Sequence, residues 1–177
     1  ITVRKANKLI IGQDCFKDLP NLKSIGLITN SIIQEGNIST DCNLLTYINI
    51  QSKNGQITIN NNTFKNCKLK NITLIVPNII LSPYCFQEIK SLESIEISGS
   101  DIDFTDQCFK ECSLLKTFIL KSEKGINITS LFLGCNSLEK LELKTKEELK
   151  INKESLIELK KLREVTINGK TIIIDDS

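Results

Sequence analysis

A spacing written seven times limits what this chain can fold into more than any other feature. Leu-x-x-Ile-x-Leu opens at Leu22, Ile25 and Leu27. It returns at Leu45/Ile48/Ile50, Leu69/Ile72/Leu74, Leu92/Ile95/Ile97, Leu115/Phe118/Leu120, Leu138/Leu141/Leu143 and Leu162/Val165/Ile167. The leading leucines stand 23 or 24 residues apart throughout. A period of this size is the signature of a solenoid, in which each repeat buries its apolar face only by stacking on its neighbours. The 177 residues therefore read as a single repeat domain, 1–177.

Two further patterns share the period. Six residues ahead of the leading Leu stand Phe16, Phe86, Phe109, Phe132 and Leu156, with Phe64 one residue closer. Three residues ahead stand Leu19, Cys42, Ile89, Cys112, Cys135 and Leu159, with Cys67 again displaced by one. This i, i+3, i+6 apolar face predicts a short helix or tight turn. Its start is marked by small polar residues, best by Ser82-Pro83, a capping Ser ahead of a Pro at the first helical position. Between repeats, Ile57-x-Ile59, Ile79-x-Leu81, Ile102-x-Phe104, Ile126-x-Ile128, Leu149-x-Ile151 and Ile172-x-Ile174 alternate with period two, as half-buried strands do. The expected fold is a mostly β solenoid of about seven repeats, with a parallel sheet, short second strands and short helical turns. No spacer is long enough for the helix of ~10–12 residues that a doubly wound fold requires.

The runs from Cys15-Phe16 to Ile25, Cys85-Phe86 to Ile95 and Cys108-Phe109 to Phe118 resemble the BspA-like (Treponema-type) leucine-rich repeat. That family writes roughly Ala-Phe-x-x-Cys-x-x-Leu-x-x-Ile-x-Ile-Pro. Here Cys mostly replaces the Ala, the Pro survives only as Pro77, and Ser39 stands where the second repeat should carry Phe, with Ile38 a substitute by a one-residue slip. The resemblance implies a leucine-rich-repeat stack and a surface-exposed adhesion or recognition protein of bacteria or protists. It carries no residue-level site, because the family motif is structural throughout.

Composition narrows the chemistry. Lys plus Arg number 23 against 21 Asp plus Glu, and the charges are interspersed. No basic stripe marks a nucleic-acid binder. No apolar run reaches the ~18–20 residues that cross a bilayer. With no His, the chain lacks the commonest general base and any Cys-His or Ser-His nucleophile pair. It also has no glycine-rich phosphate loop. The expectation is a non-catalytic module with no cofactor and no metal. The seven cysteines all fall on two repeat phases that Leu, Ile, Thr or Ser occupy elsewhere, so they read as interior thiols. Cys108 and Cys112, at i and i+4, have no second close pair with which to build a tetrahedral site. Unpaired thiols favour a cytoplasmic compartment, against the cell surface that the resemblance implies. Two alternatives therefore stand beside adhesion: an intracellular scaffold or regulatory subunit, and the accessory domain of an enzyme whose catalytic part lies elsewhere. Four Asn-x-Ser/Thr sequons, at Asn37, Asn61, Asn71 and Asn127, are near chance for this composition.

The outer face of the parallel sheet is the candidate binding surface, for a protein partner. One position after the leading Leu come Lys23, Thr46, Lys70, Glu93, Lys116, Glu139 and Arg163, the last four of which alternate in sign and read as a charge ladder that fixes register. Two positions after come Ser24, Tyr47, Asn71, Ser94, Thr117, Lys140 and Glu164, and four after come Gly26, Asn49, Thr73, Glu96, Ile119, Glu142 and Thr166. Tyr47 is the one aromatic there and Ile119 the one bulky aliphatic, and aromatics dominate interface hot spots. The candidate ligand-binding residues are Tyr47, Lys70, Asn71, Thr73, Glu96, Lys116, Ile119 and Lys140. Both ends of the chain fall in mid-repeat, so it reads as an excerpt, with neighbouring repeats, a cap or a partner expected at each end of the stack.

Overall fold

The computed structural model describes residues 1–61, 63–105, 107–152, 154–157 and 159–175 and is a parallel β-solenoid. The leading strands are β1 (Thr2–Ala6), β3 (Ser24–Gln34), β4 (Tyr47–Ile59), β5 (Asn71–Ile75), β7 (Ser94–Gly99), β9 (Thr117–Ser122), β11 (Lys140–Thr145) and β13 (Glu164–Asn168). They lie side by side in that order, every pair parallel. The register follows the sequence period: Ile25 pairs with Ile48, Ile48 with Ile72, Ile72 with Ile95, Ile95 with Phe118 and Phe118 with Leu141. Each is at most 2 % exposed, because stacking covers an apolar residue on both sides.

The second strands are β2 (Leu9–Ile11), β6 (Asn78–Leu81), β8 (Asp101–Phe104), β10 (Ile126–Ile128), β12 (Glu148–Asn152) and β14 (Thr171–Asp175), with the far halves of β3 and β4 completing the set. Their ladder breaks once, leaving β10, β12 and β14 as a separate three-stranded sheet. At the turn inside β4, Gly55 takes φ +108°, and a Cβ there would lie 2.1 Å from the Ile32 carbonyl oxygen of the adjacent strand. Only glycine permits that approach.

The predicted helical turns take a different form. Among the described residues only α1 (Glu154–Ile157) is an α-helix; the other convex segments are hydrogen-bonded turns. The residue just ahead of the Cys/Leu slot is left-handed in six repeats: Asp18 (φ 52°), Asp41 (60°), Asn66 (58°), Glu88 (58°), Glu111 (60°) and Gly134 (79°). A left-handed residue ends a right-handed turn and costs a non-glycine residue roughly 1–2 kcal/mol. In return it swings its N–H along the stack axis. Asp18 donates to Thr40 O (3.1 Å), Asp41 to Lys65 O (2.8 Å), Glu88 to Lys110 O (2.8 Å) and Glu111 to Leu133 O (2.7 Å), each one coil ahead. Adjacent coils are thereby tied together on their convex side as well as through the sheet.

The Phe slots form a column in part. Phe64, Phe86 and Phe109 stack nearly parallel, and then Phe118 from β9 inserts edge-on between Phe109 and Phe132, with centroids at 5.1 and 4.8 Å. Phe16 stays half-buried, while Ile38 is fully buried and Ser39 donates to the Phe16 carbonyl at 3.2 Å. One joint is looser than the rest. Phe64 and Phe86 are 6.2 Å apart, against 5.1 Å for Phe86 and Phe109, and a recess of about 310 Å³ opens beside them. In the last coil Val165, Ile172 and Ile174 are 47 %, 45 % and 54 % exposed, although their counterparts inside the stack are buried.

Candidate functional site

Strand alternation presents three rows of side chains on the outer face of the sheet. The first runs Ser24, Tyr47, Asn71, Ser94, Thr117, Lys140, Glu164, and the second Gly26, Asn49, Thr73, Glu96, Ile119, Glu142, Thr166. Of the expected candidates, Tyr47, Asn71 and Lys140 share the first row, and Thr73, Glu96 and Ile119 the second. Lys70 and Lys116 sit one residue ahead of β5 and β9, at the rim where the chain enters the sheet.

The third row, Ile28, Gln51, Ile75, Ser98, Lys121, Lys144 and Asn168, was not among the sequence expectations. It lies one residue past the end of the Leu-x-x-Ile-x-Leu block, and continuing the period-two alternation by one step would have found it. It also corrects the expectation that Ile119 is the one bulky aliphatic on this face, since Ile28 is 37 % exposed and Ile75 half-buried beside it.

The charge ladder forms elsewhere than expected. In the row one past the leading Leu, only Lys70 and Glu93 pair, at 3.3 Å, among the described residues. The denser network lies in the strand rows. Lys121 bridges Glu96 (3.1 Å) and Glu142 (3.8 Å), Lys144 binds Glu142 at 2.8 Å, and Lys140 binds Glu164. A lysine in the third row reaches diagonally to carboxylates in the second, a reach that counting along a single phase misses. The Lys144 hydrogen bond, reinforced by the charges of Lys144, Lys121 and Lys140, holds the Glu142 carboxyl below its usual range against the desolvation that raises it. The Glu164 hydrogen bond pushes Lys140 upward.

The sheet face thus has two halves. From β7 to β13 its lysines and glutamates form the ion-pair network. From β3 to β5 the three rows carry no charge: Ser24, Gly26, Ile28; Tyr47, Asn49, Gln51; Asn71, Thr73, Ile75. Tyr47 is 40 % exposed, and Asn71 is exposed beside it. Gln51 donates to Asn49 at 3.0 Å, setting two amides side by side. Next to them Ile28, Thr29, Gln51, Ser52, Lys53 and Ile75 line a shallow depression of about 200 Å³.

The cysteines are interior, as their phases indicate, apart from Cys15, which is exposed, and Cys67, which is half-buried. All seven are thiols. Cys108 and Cys112 do not act together: Cys108 donates to Thr105 O at 2.8 Å, and Cys112 to Phe86 O at 3.1 Å. Among the described residues no group of three or more His, Cys, Asp or Glu is placed to hold a metal, and no helix is long and apolar enough to cross a membrane.

Comparison with protein families gives one match. A BspA type Leucine rich repeat region aligns in 6 copies over residues 1–58 and 57–177. No curated protein and no solved structure matches the chain.

Proposed function

Because the chain belongs to the BspA-type leucine-rich-repeat family, we propose that it is a non-catalytic recognition or adhesion module that engages a protein partner through the outer face of its parallel sheet. The family is typically non-catalytic and often surface-associated. The observation that carries the reading is the unpaired half of that face. Tyr47 on β4 stands in register with Asn71 on β5, Thr73 follows two residues along β5, and no hydrogen bond within the described residues involves their side chains. Groups left unpaired on a rigid sheet are pre-organised for a partner, which then loses little of its binding energy to ordering them. The same reading has further repeats, a cap or a partner covering the open edge at β13 and β14.

The test is adhesion of beads coated with this chain to cells and to immobilised extracellular-matrix proteins. Thr73→Glu, which places a bulky negative charge in the middle of the face, should abolish it, while Lys17→Glu on the convex side leaves it intact. Equal adhesion by parent and Thr73→Glu beads would refute the sheet face as the binding surface.

A second reading, an intracellular scaffold using the same face, is favoured by the seven thiols. Intact mass of protein isolated from its own cells, alkylated in denaturant without reductant, separates the two. Seven alkylations and no glycan mass support the scaffold; fewer alkylations or added sugar support the surface module.

A further inference from the structure

Resting on the recognition function above, we propose that the β1–β5 half of the sheet face binds an acidic oligosaccharide, a hydroxyl-rich ligand carrying a carboxylate or sulfate. Size argues first. Three strands at ~4.8 Å spacing and three rows at ~6.6 Å make an uncharged window on the order of 10 by 13 Å. That is a small part of the ~800 Å² that a protein partner covers in a standard interface, and it matches two or three sugar rings of a glycan carried by such a partner.

Chemistry argues next. Asn49, Gln51, Asn71 and Thr73 present amides and a hydroxyl, each able both to donate and to accept, as neighbouring sugar hydroxyls require. The exposed ring of Tyr47 at one end and Ile28 with Ile75 at the other supply apolar surface for the C–H faces of pyranose rings. An aromatic whose hydroxyl also bonds suits a ligand that is apolar on one face and polar at its edge.

Charge decides between a neutral and an acidic ligand. The window is rimmed by Arg4 in the row of Ile28, by Lys23 ahead of Ser24, and by Lys53 two residues beyond Gln51. None of these three forms an ion pair within the described residues, and no Asp or Glu lies on the sheet face from β1 to β5. Unneutralised cations within a Debye length of ~8–10 Å of a neutral hydrogen-bonding surface favour a ligand bearing negative charge.

The experiment uses an array of immobilised oligosaccharides, sialylated, uronate-bearing or sulfated, beside their neutral counterparts, with a polyglutamate peptide as a further probe. The chain should bind at least one acidic structure roughly tenfold better than its neutral counterpart, and binding should fall as salt rises. Tyr47→Ala and Asn49→Asp should each weaken it by about tenfold. Tyr47→Phe should retain most of it, and Lys53→Gln should weaken it and flatten the salt dependence. Lys90→Gln, on the convex side, should leave it unchanged. Equal binding to neutral structures, indifference to Tyr47→Ala, or no binding on the array would each overturn the acidic-oligosaccharide assignment. Binding of polyglutamate alone, lost in the face variants, would also overturn it while leaving sheet-face recognition standing. Adhesion to cells unchanged in all the face variants would remove both.

Discussion

The Cys112 thiol donates to the Phe86 carbonyl oxygen at 3.1 Å, one coil back along the stack. The contact repeats at the same phase: Cys135 donates to Phe109 O at 3.2 Å, and Cys42 to Phe16 O at 3.0 Å. A left-handed residue just ahead of each cysteine turns the chain so that the side chain points back at the preceding coil. Cys fits this slot because it is small and apolar yet carries a second donor for a carbonyl that already accepts one bond, from Ile89 N–H at Phe86 O, Cys112 N–H at Phe109 O and the Ser39 hydroxyl at Phe16 O.

Removing that donor should therefore cost more than the lost volume. Cys112→Ala removes the second donor from the Phe86 carbonyl, which keeps the Ile89 N–H, and opens a small cavity, and is expected to destabilise the fold by about 1 kcal/mol. Cys112→Ser keeps a donor and should recover part of the loss. Urea unfolding of parent and both variants measures it; equal losses in the two would show that packing alone matters at this slot.

Burial also sets the reactivity of these thiols. It pushes Cys135 from near 9.0 up to about 12, and pushes Cys112 and Cys85 upward too, Cys85 with help from the neighbouring Cys108. In the native chain at pH 8, iodoacetamide should label Cys15 and Cys67 first and the buried thiols only on unfolding. The same shift links stability to pH. A thiol that ionises near 9 when unfolded and near 12 when folded contributes its full stabilisation below pH 9 and loses it as pH rises toward 12. The loss is about 1.4 kcal/mol per pH unit for each such thiol. The urea midpoint should fall from pH 9 upward, and Cys135→Ala should remove a share of that fall. A midpoint flat to pH 11 would contradict it.

Much of this architecture is legible in the sequence because stacking forces a fixed register. Once Leu22 to Ile167 are read at a 23- or 24-residue period, the strand order and the inward residues follow. Two features lie outside that logic. The left-handed residues Asp18, Asp41, Glu88 and Glu111 make no apolar pattern, and Glu is not a residue that announces positive φ; only their shared phase hints at them. The ion pairs of Lys121 depend on side-chain reach across strands, which no single phase encodes. For the candidate site, the sequence placed Tyr47, Asn71 and Thr73 on one face. It missed Gln51, Ile28 and Ile75 because the repeat motif stops before them.

Glu142 should report on the charged half of the face. Its carboxyl is held below the usual range by Lys144 first and Lys121 next, so its stabilising contribution is present above the unfolded value of 4.5 and is lost as pH falls through the lower folded value. The pair is only partly screened from water, so Glu142→Gln should cost no more than about 1 kcal/mol at pH 7. The cost should vanish once the pH is low enough to protonate the parent's carboxyl. Urea titrations of parent and variant at both pH values give the comparison; an equal difference at the two would assign the loss to packing.

The joint between residues 60–69 and 82–92 should open first. Elsewhere along most of the stack the convex turns are cross-linked, as by Phe86 N–H to Cys108 O at 3.0 Å and Glu88 N–H to Lys110 O at 2.8 Å. At this joint the equivalent donors, Phe64 N–H and Asn66 N–H, make no such bond within the described residues. The wider Phe64–Phe86 spacing of 6.2 Å and the half-exposed Cys67 mark the same place. The cause is the one-residue deletion that shifts Phe64 and Cys67 toward Leu69 and takes their backbone out of step with the next coil. Because stack stability is close to a sum of coil and interface contributions, the weakest interface sets the lowest opening free energy. Native-state hydrogen exchange should find the amides of Phe64 and Asn66 exchanging far faster than those of Phe86 and Glu88. Restoring the residue, by an insertion between Cys67 and Leu69, should slow exchange on both sides of the joint. Uniform protection across all four amides in the parent would mean that the sheet alone holds this interface shut.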